Sequence, residues 1–203
     1  MKKLAVALCV LYAVAGFAAE KLPATKTPPL PQERFTKEFR QISPFDLSGN
    51  VFKRIIKDNY LITAGTAQGY NSMTAGWGGF GILYSKPVAT IYVNENRYTD
   101  EFLKSSNFFT LSFYEGKDRE KLYSVFGSKS GRDIDKEKAS LFLPVSTPGG
   151  GVSYMQARTV IVCKKIATVK LTDNILLPGV KPENMKEQIH NAYIGEIIGV
   201  WVR

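Results

Sequence analysis

The chain has 203 residues, 44% of them hydrophobic and 22% charged, with a formal charge of +9 from 27 basic and 18 acidic side chains. That length and balance predict one globular domain with a sizeable core, and exclude a disordered or fibrous chain. Lys and Arg are spread along the chain with no run longer than two, which predicts a mildly basic surface rather than a nucleic-acid groove.

At the N-terminus, Lys2-Lys3 precedes the apolar stretch Leu4 to Val14, and Gly16-Phe17-Ala18 supplies the small residues of a cleavage site. This is the pattern of a secretory signal peptide over 1–19, too short and wrongly flanked for a lasting transmembrane span. The expectation is an exported protein, periplasmic or at the cell surface, with no membrane span after cleavage. Cys9 falls inside the apolar run, which leaves Cys163 alone in the mature chain and no internal disulfide. Val160-Ile161-Val162-Cys163 reads as a buried strand, so this thiol is expected to be an inert core group.

Residues 20–45 read as a tether and a short helix. Pro23, Pro28, Pro29 and Pro31 predict extended chain, and Gln32 to Gln41 a short helix with Phe35 and Phe39 on one face. Residues 46–203 then form the folded domain. Ser48-Gly49-Asn50 is placed to cap a helix carrying Phe52, Ile55 and Ile56. Strand texture follows at Tyr60 to Ala64, Ser72 to Ala75, Val88 to Val93 and Phe108 to Phe113. Short helices fall at Thr99 to Ser105, with Thr99 as N-cap, and at Asp118 to Phe126. After Gly149-Gly150-Gly151 come long strands over Tyr154 to Leu171 and Tyr193 to Val202. Short strands broken by single helices predict a β-barrel with helical insertions rather than a parallel α/β sheet.

The run Asn71-Ser72-Met73-Thr74-Ala75-Gly76-Trp77-Gly78-Gly79-Phe80-Gly81 joins hydrogen-bonding side chains to glycine-opened backbone, and suits close approach to a flat polar ligand. It also contains a decoy. Gly76-x-Gly78-x-x-Gly81 fits the dinucleotide fingerprint, with Asp100 and Glu101 about twenty residues on. That fingerprint needs a helix starting among the glycines, whereas Ile82 to Lys86 runs straight into Pro87. A small-ligand site on strand and loop is the reading that survives.

Two later clusters offer what a phosphate requires, namely cations, hydroxyls and backbone N–H groups near a helix start. They are Arg97-Tyr98-Thr99 and Ser128-Lys129-Ser130-Gly131-Arg132-Asp133. No residue stands out as an acid, base or nucleophile. His190 is the sole histidine, and a surface or structural role is expected for it rather than metal ligation.

These blocks, in this order, resemble the flavin reductase-like, FMN-binding split-barrel family in its flavoredoxin-like branch. The resemblance runs from about Asn50 to the C-terminus. It is carried by Asn50 to Lys53, Leu61 to Gly65, Asn71 to Gly79, Arg97 to Thr99, Phe108 to Phe113, Gly127 to Asp133 and Tyr193 to Ile197. It implies a mainly β fold, a six-stranded Greek-key split barrel with short helical insertions, and a homodimer with FMN near the interface. By position, Ser72, Met73, Thr74, Ala75 and Gly76 would lie along the isoalloxazine ring, and Asn71 would join the cofactor-binding residues. Arg97 and Thr99, with Ser130 and Arg132, would face the phosphate with Lys129 as the nearby cation, and Tyr98, Ser128 and Gly131 would complete the cofactor-binding set. Trp77 would either stack near the ring or pack in the core. Gly76 stands where the family commonly has serine, and Asn94-Glu95 where it often has an Arg-Pro pair.

The resemblance implies an oxidoreductase in which the cofactor carries the electrons, supplied by a small molecule or another protein. The alternative is a non-catalytic flavin- or small-ligand-binding split barrel, since a fold does not fix a function. The pyridoxamine-phosphate-oxidase-like barrels are a nearer structural rival. Nucleic-acid binding is disfavoured by the export signal.

Overall fold

The computed structural model describes residues 27–203. The expected signal peptide and the first part of the expected tether lie outside these residues. From Thr27 onward the chain is docked on the domain, with Leu30 bridged to Val145. Thr27 donates from Oγ1 to Asp135 Oδ2 at 2.7 Å and accepts at its carbonyl from the Tyr70 hydroxyl at 2.8 Å. Helix α1 (Gln32–Glu38) follows, and Phe35 and Phe39 share a face as expected, stacking at 4.3 Å. Phe35 is fully buried and meets the Trp201 ring edge-on at 5.4 Å, so this helix belongs to the domain core.

The strands are β1 (Arg40–Ile42), β2 (Tyr60–Thr66), β3 (Gly69–Ala75), β4 (Gly78–Leu83), β5 (Lys86–Asn94), β6 (Phe108–Phe113), β7 (Pro144–Ser146), β8 (Val152–Tyr154), β9 (Thr159–Leu171) and β10 (His190–Val202). One eight-stranded sheet runs β3-β2-β6-β9-β10-β5-β4, with β1 added to the far end of β10, and β7-β8 form a small separate pair. Every pairing among these strands is antiparallel. The two ends of the path, β3 and β4, are joined in sequence by only Gly76 and Trp77, so the sheet must curl until its ends meet. The result is a split barrel. The strand count exceeds the expected six because β1 extends the sheet and the glycine-rich run becomes the separate edge strand β4.

Side chains alternate across a strand, and here both faces are covered. Ile62 on β2 and Ile161 and Cys163 on β9 fill the barrel with Ile91, Phe109 and Tyr193. Their neighbours Leu61, Val160 and Val162 enter a second core outside it, with Phe35, Phe126, Phe142 and Tyr154. Two buried faces explain why these strands read as unbroken apolar runs. Cys163 lies in the barrel core as a free thiol, and burial pushes its pKa well up.

The glycine run follows packing more than ligand access. Gly78 has φ +151°, and a Cβ there would sit 2.5 Å from the Thr90 carbonyl oxygen and 2.9 Å from the Tyr60 hydroxyl. That hydroxyl donates to the Trp77 carbonyl at 2.6 Å, which fixes the β3–β4 corner. No helix begins there, and the dinucleotide fingerprint is a coincidence of spacing.

Helix α2 (Tyr98–Ser105) has Arg97, not Thr99, as its N-cap. Thr99 is instead a buried first-turn residue. Asn50 does cap the turn before β2, accepting from Lys53 N at 2.9 Å. Of the three apolar residues expected on that turn, Ile55 alone is buried, while Phe52 and Ile56 face outward. Helix α3 (Gly116–Lys121) passes into a wider π-helical turn, Leu122–Gly127, and helix α4 (Lys136–Ser140) comes after the Ser128 to Asp135 loop.

A cationic cleft as candidate ligand site

Beside β3 the structure holds a cleft of about 350 Å³. Asn71, Met73 and Thr74 of β3 form one wall, the Asn96 to Thr99 segment a second, and the loop from Gly127 to Asp133 a third. The three polar segments picked out in the sequence therefore share one cavity. Asn71 ties two of them together, its Nδ2 donating to Thr99 Oγ1 at 2.8 Å. The third is held against β3 by Thr74, whose hydroxyl donates to the Leu122 carbonyl.

Two glycines allow the loop to approach this closely. A Cβ at Gly131 would fall 2.0 Å from Asn71 Oδ1, and one at Gly127 would press at 3.1 Å on the Leu122 carbonyl oxygen. Ser128 Oγ donates to the Ser124 carbonyl at 2.7 Å, and Ser130 Oγ accepts from Arg132 N at 3.2 Å, so both hydroxyls also brace the loop.

The cations differ in their freedom. Arg132 donates to Glu101 and lies over the Tyr98 ring, its guanidinium carbon 4.7 Å from the centroid. Among the described residues, Arg97 and Lys129 form no ion pair with an acid, and both are exposed. Asp133 is on the rim and partly offsets them.

Four of the expected residues do not line this cleft. Ser72 is turned into the core, in a chain running from Thr63 Oγ1 to Ser72 Oγ at 2.8 Å, on to the Tyr154 hydroxyl at 2.6 Å, and from there to Glu137 Oε1 at 2.6 Å. Ala75 packs in the barrel core. Gly76 lies against Asn59, where a Cβ would meet Nδ2 at 2.8 Å. Trp77 is not packed in the core. Its ring is half exposed beside His190, with centroids 5.2 Å apart, and lines a different cavity.

The sequence reading missed Lys136, the first residue of α4. It lines the cleft floor yet is only 4% exposed. Its ammonium donates to the Ser72 carbonyl at 2.9 Å and the Phe126 carbonyl at 3.1 Å, bridging two walls. Burial is the largest influence on it, and with the nearby Arg97 charge it outweighs Glu137, bringing the pKa down to about 8. Nothing in Asp135-Lys136-Glu137-Lys138 distinguishes this lysine from its exposed neighbour, since the pattern is that of a solvated helix start.

Residues 52–203 match the family model described as the flavin reductase like domain, and the chain belongs to that family. No curated protein matches the chain. Among solved structures it is similar to an FMN-binding domain of a flavin reductases-like enzyme from Shewanella baltica OS155, with TM-score 0.59 and 17% identity over 81% of this chain and 76% of that one. It is also similar to flavoredoxin from Methanosarcina acetivorans, with TM-score 0.57 and 20% identity over 80% of this chain and 76% of that one. Flavoredoxin of Desulfovibrio vulgaris (Miyazaki F) gives TM-score 0.57 and 17% identity over 80% and 77% respectively. At these identities the likeness shows the fold.

Proposed function

We propose that this protein is an exported FMN-binding oxidoreductase of the flavin reductase-like type. The observation that carries the reading is the meeting of Arg97, Lys129, Arg132 and Lys136 with Thr74, Ser128 and Ser130 around one cleft. A phosphomonoester matches this set, because it needs several cations and donors at once. Arg97 and Lys129 supply free charge, Lys136 a fixed one from below, and the Tyr98 and Thr99 N–H groups open the first turn of α2, where no intrahelical acceptor is available. The Asn71 to Thr74 edge of β3 leads out of the cleft toward the barrel end and offers backbone to a flat ring.

When bound, FMN supplies the capacity to take and release electrons, and the protein supplies placement and electrostatics. Lys136 and Arg97 favour an anionic ligand by holding positive charge in a partly enclosed site. The domain acts as a homodimer with the flavin near the interface, and the outward-facing Phe45 and Phe52 are the apolar surface offered to a second copy. Residues 1–19 direct export, so the electron donor is a small molecule or protein met outside the cytoplasm.

The test is an absorbance spectrum of the purified full-length protein, followed by FMN titration and anaerobic addition of NADH and NADPH. Saturable FMN binding with reduction above the free-flavin rate supports an oxidoreductase. Saturable binding without reduction by any donor leaves the non-catalytic module. Failure to bind FMN removes both.

A further inference from the structure

An apolar cavity lies apart from the cationic cleft. It encloses about 520 Å³ between Trp77, Tyr92 and His190 on the sheet side and the connection 172–189 on the other. Such a volume falls within the range of small-molecule sites. The connection is longer than ordinary loops, which is a common feature of binding loops. Leu176, Val180 and Met185 from this connection form an apolar roof.

Polarity inside the cavity is sparse. Lys181, the cation of its lining, is ion-paired with Asp173 at 2.7 Å and also donates to the Lys186 carbonyl at 3.2 Å. Its ammonium is therefore already committed to an acid and a carbonyl. His190 is held below its ordinary pKa, first by burial and then by Lys181 and Arg97, so its imidazole is neutral at pH 7. The Gln188 side-chain oxygen accepts from Asn94 Nδ2 at 3.1 Å, which leaves its amide nitrogen as a donor. The Trp77 and His190 rings are tilted by 47° rather than stacked.

We propose that this cavity binds a neutral, planar aromatic or quinonoid molecule bearing a carbonyl oxygen, its ring against Trp77 and its oxygen toward Gln188 or His190. A pyridine dinucleotide is a poor occupant because its diphosphate would find no unpaired cation there. The proposal stands whether or not the cationic cleft holds a flavin. Asn94 links the two places, since it donates to Gln188 on one side while its Oδ1 accepts from Asn96 N, at the cleft wall, at 2.9 Å. A molecule bound here would sit beside whatever the cleft holds.

Isothermal titration of the full chain, flavin-free and FMN-loaded, with 2-methyl-1,4-naphthoquinone and with 1,4-naphthoquinone-2-sulfonate tests this directly. The neutral quinone is expected to bind both forms, and the sulfonate at least roughly tenfold more weakly, because an unpaired charge in an apolar cavity is costly. Leu176→Asp should weaken the neutral quinone by a similar factor and leave FMN binding unchanged. Equal affinity for the two quinones, or no binding of the neutral one to flavin-free protein, would overturn the assignment. The comparison of the two ligands on unaltered protein stands even if the variant folds poorly. Quinone binding without FMN binding would defeat only the flavin reading.

Discussion

Lys136 Nζ donates to the Ser72 carbonyl at 2.9 Å, joining helix α4 to the strand that forms the cleft wall. The same strand residue sends its hydroxyl the other way, through Tyr154 to Glu137, the neighbour of Lys136. One pair of adjacent charged residues thus clasps Ser72 from two sides. The lysine faces the cleft and the glutamate the core.

This arrangement makes anion binding depend on pH. Lys136 has a folded pKa of about 8, below its ordinary 10.5, so its charge is present below about 8 and is lost as pH rises through that value. Burying that charge costs stability at pH 7, and the cost fades between about 8 and 10.5. A bound phosphate offsets the cost, so FMN should bind more weakly as pH rises from 7 to 9.5. Fluorescence titration across that window should show weakening of roughly tenfold, the equivalent of about 1.4 kcal/mol. In Lys136→Met the profile should be flat and the pH 7 affinity reduced. An unchanged slope in the variant would show that another group titrates.

Gly131→Ala probes the same cleft without altering charge. The added methyl would collide with Asn71 Oδ1 at 2.0 Å, and Asn71 is buried and bonded to Thr99. The loop must therefore move away from β3. Overpacking of this kind costs roughly 1–3 kcal/mol, but most of it falls on a surface loop. The expected result is a large loss of FMN affinity with a small loss in thermal midpoint, read by titration and by circular dichroism. Comparable losses in Gly79→Ala, where a Cβ meets nothing within 4 Å, would contradict it.

How much of this was legible in the chain follows from the nature of each signal. Phe108 to Phe113 is visible as a strand because its residue types favour one, and its boundaries match the structure. Arg97 and Arg132 are visible as candidate ligand cations because hydroxyl residues stand beside them in sequence. Ser72 and Thr74 look equivalent in sequence and share a face of β3, yet Ser72 is tied to Tyr154 in the core while Thr74 reaches the cleft wall. Lys136 was hidden because its inward turn depends on carbonyls supplied by Ser72 and Phe126. The cavity at Trp77 was equally hidden, since its roof comes from residues about one hundred positions later.

The two arginines of the cleft should not be equal. Arg132 is committed to Glu101 and the Tyr98 ring, whereas Arg97 has no acid partner among the described residues. A charge-assisted hydrogen bond contributes roughly 1.5–3 kcal/mol. Arg97→Gln should therefore weaken FMN by about tenfold or more, and Arg132→Gln by less, because removing Arg132 also releases Glu101. Raising salt should narrow the difference, since exposed charge is screened. Titration of both variants at low and high salt decides the order, and a larger loss in Arg132→Gln would reverse this assignment.

Asp100 fixes where Arg97 and Thr99 stand. Its carboxylate is fully buried; Oδ1 accepts from Tyr193 Oη at 2.7 Å and from Asn191 Nδ2 at 2.9 Å, while Oδ2 pairs with Lys104 at 2.7 Å. Those contacts anchor the first turn of α2 to β10. In Asp100→Asn the amide brings a donor where Lys104 needs an acceptor, and the ammonium loses its partner. Lys104 is more than half exposed and returns to water, so the cost is that of weakening the hydrogen bonds to a buried group, roughly 1–3 kcal/mol. At about 2–4 °C per kcal/mol for a chain of this size, the thermal midpoint should fall by roughly 2–12 °C. Because α2 then loosens at its start, FMN affinity should fall along with stability. Asp100→Ala should share both losses. Lys104→Met should share the stability loss in part but keep FMN affinity, because Asn191 and Tyr193 still hold the carboxylate from the other side. Calorimetry and FMN titration on the three variants separate anchoring from charge, and a midpoint unchanged in Asp100→Asn would remove the anchor from the account.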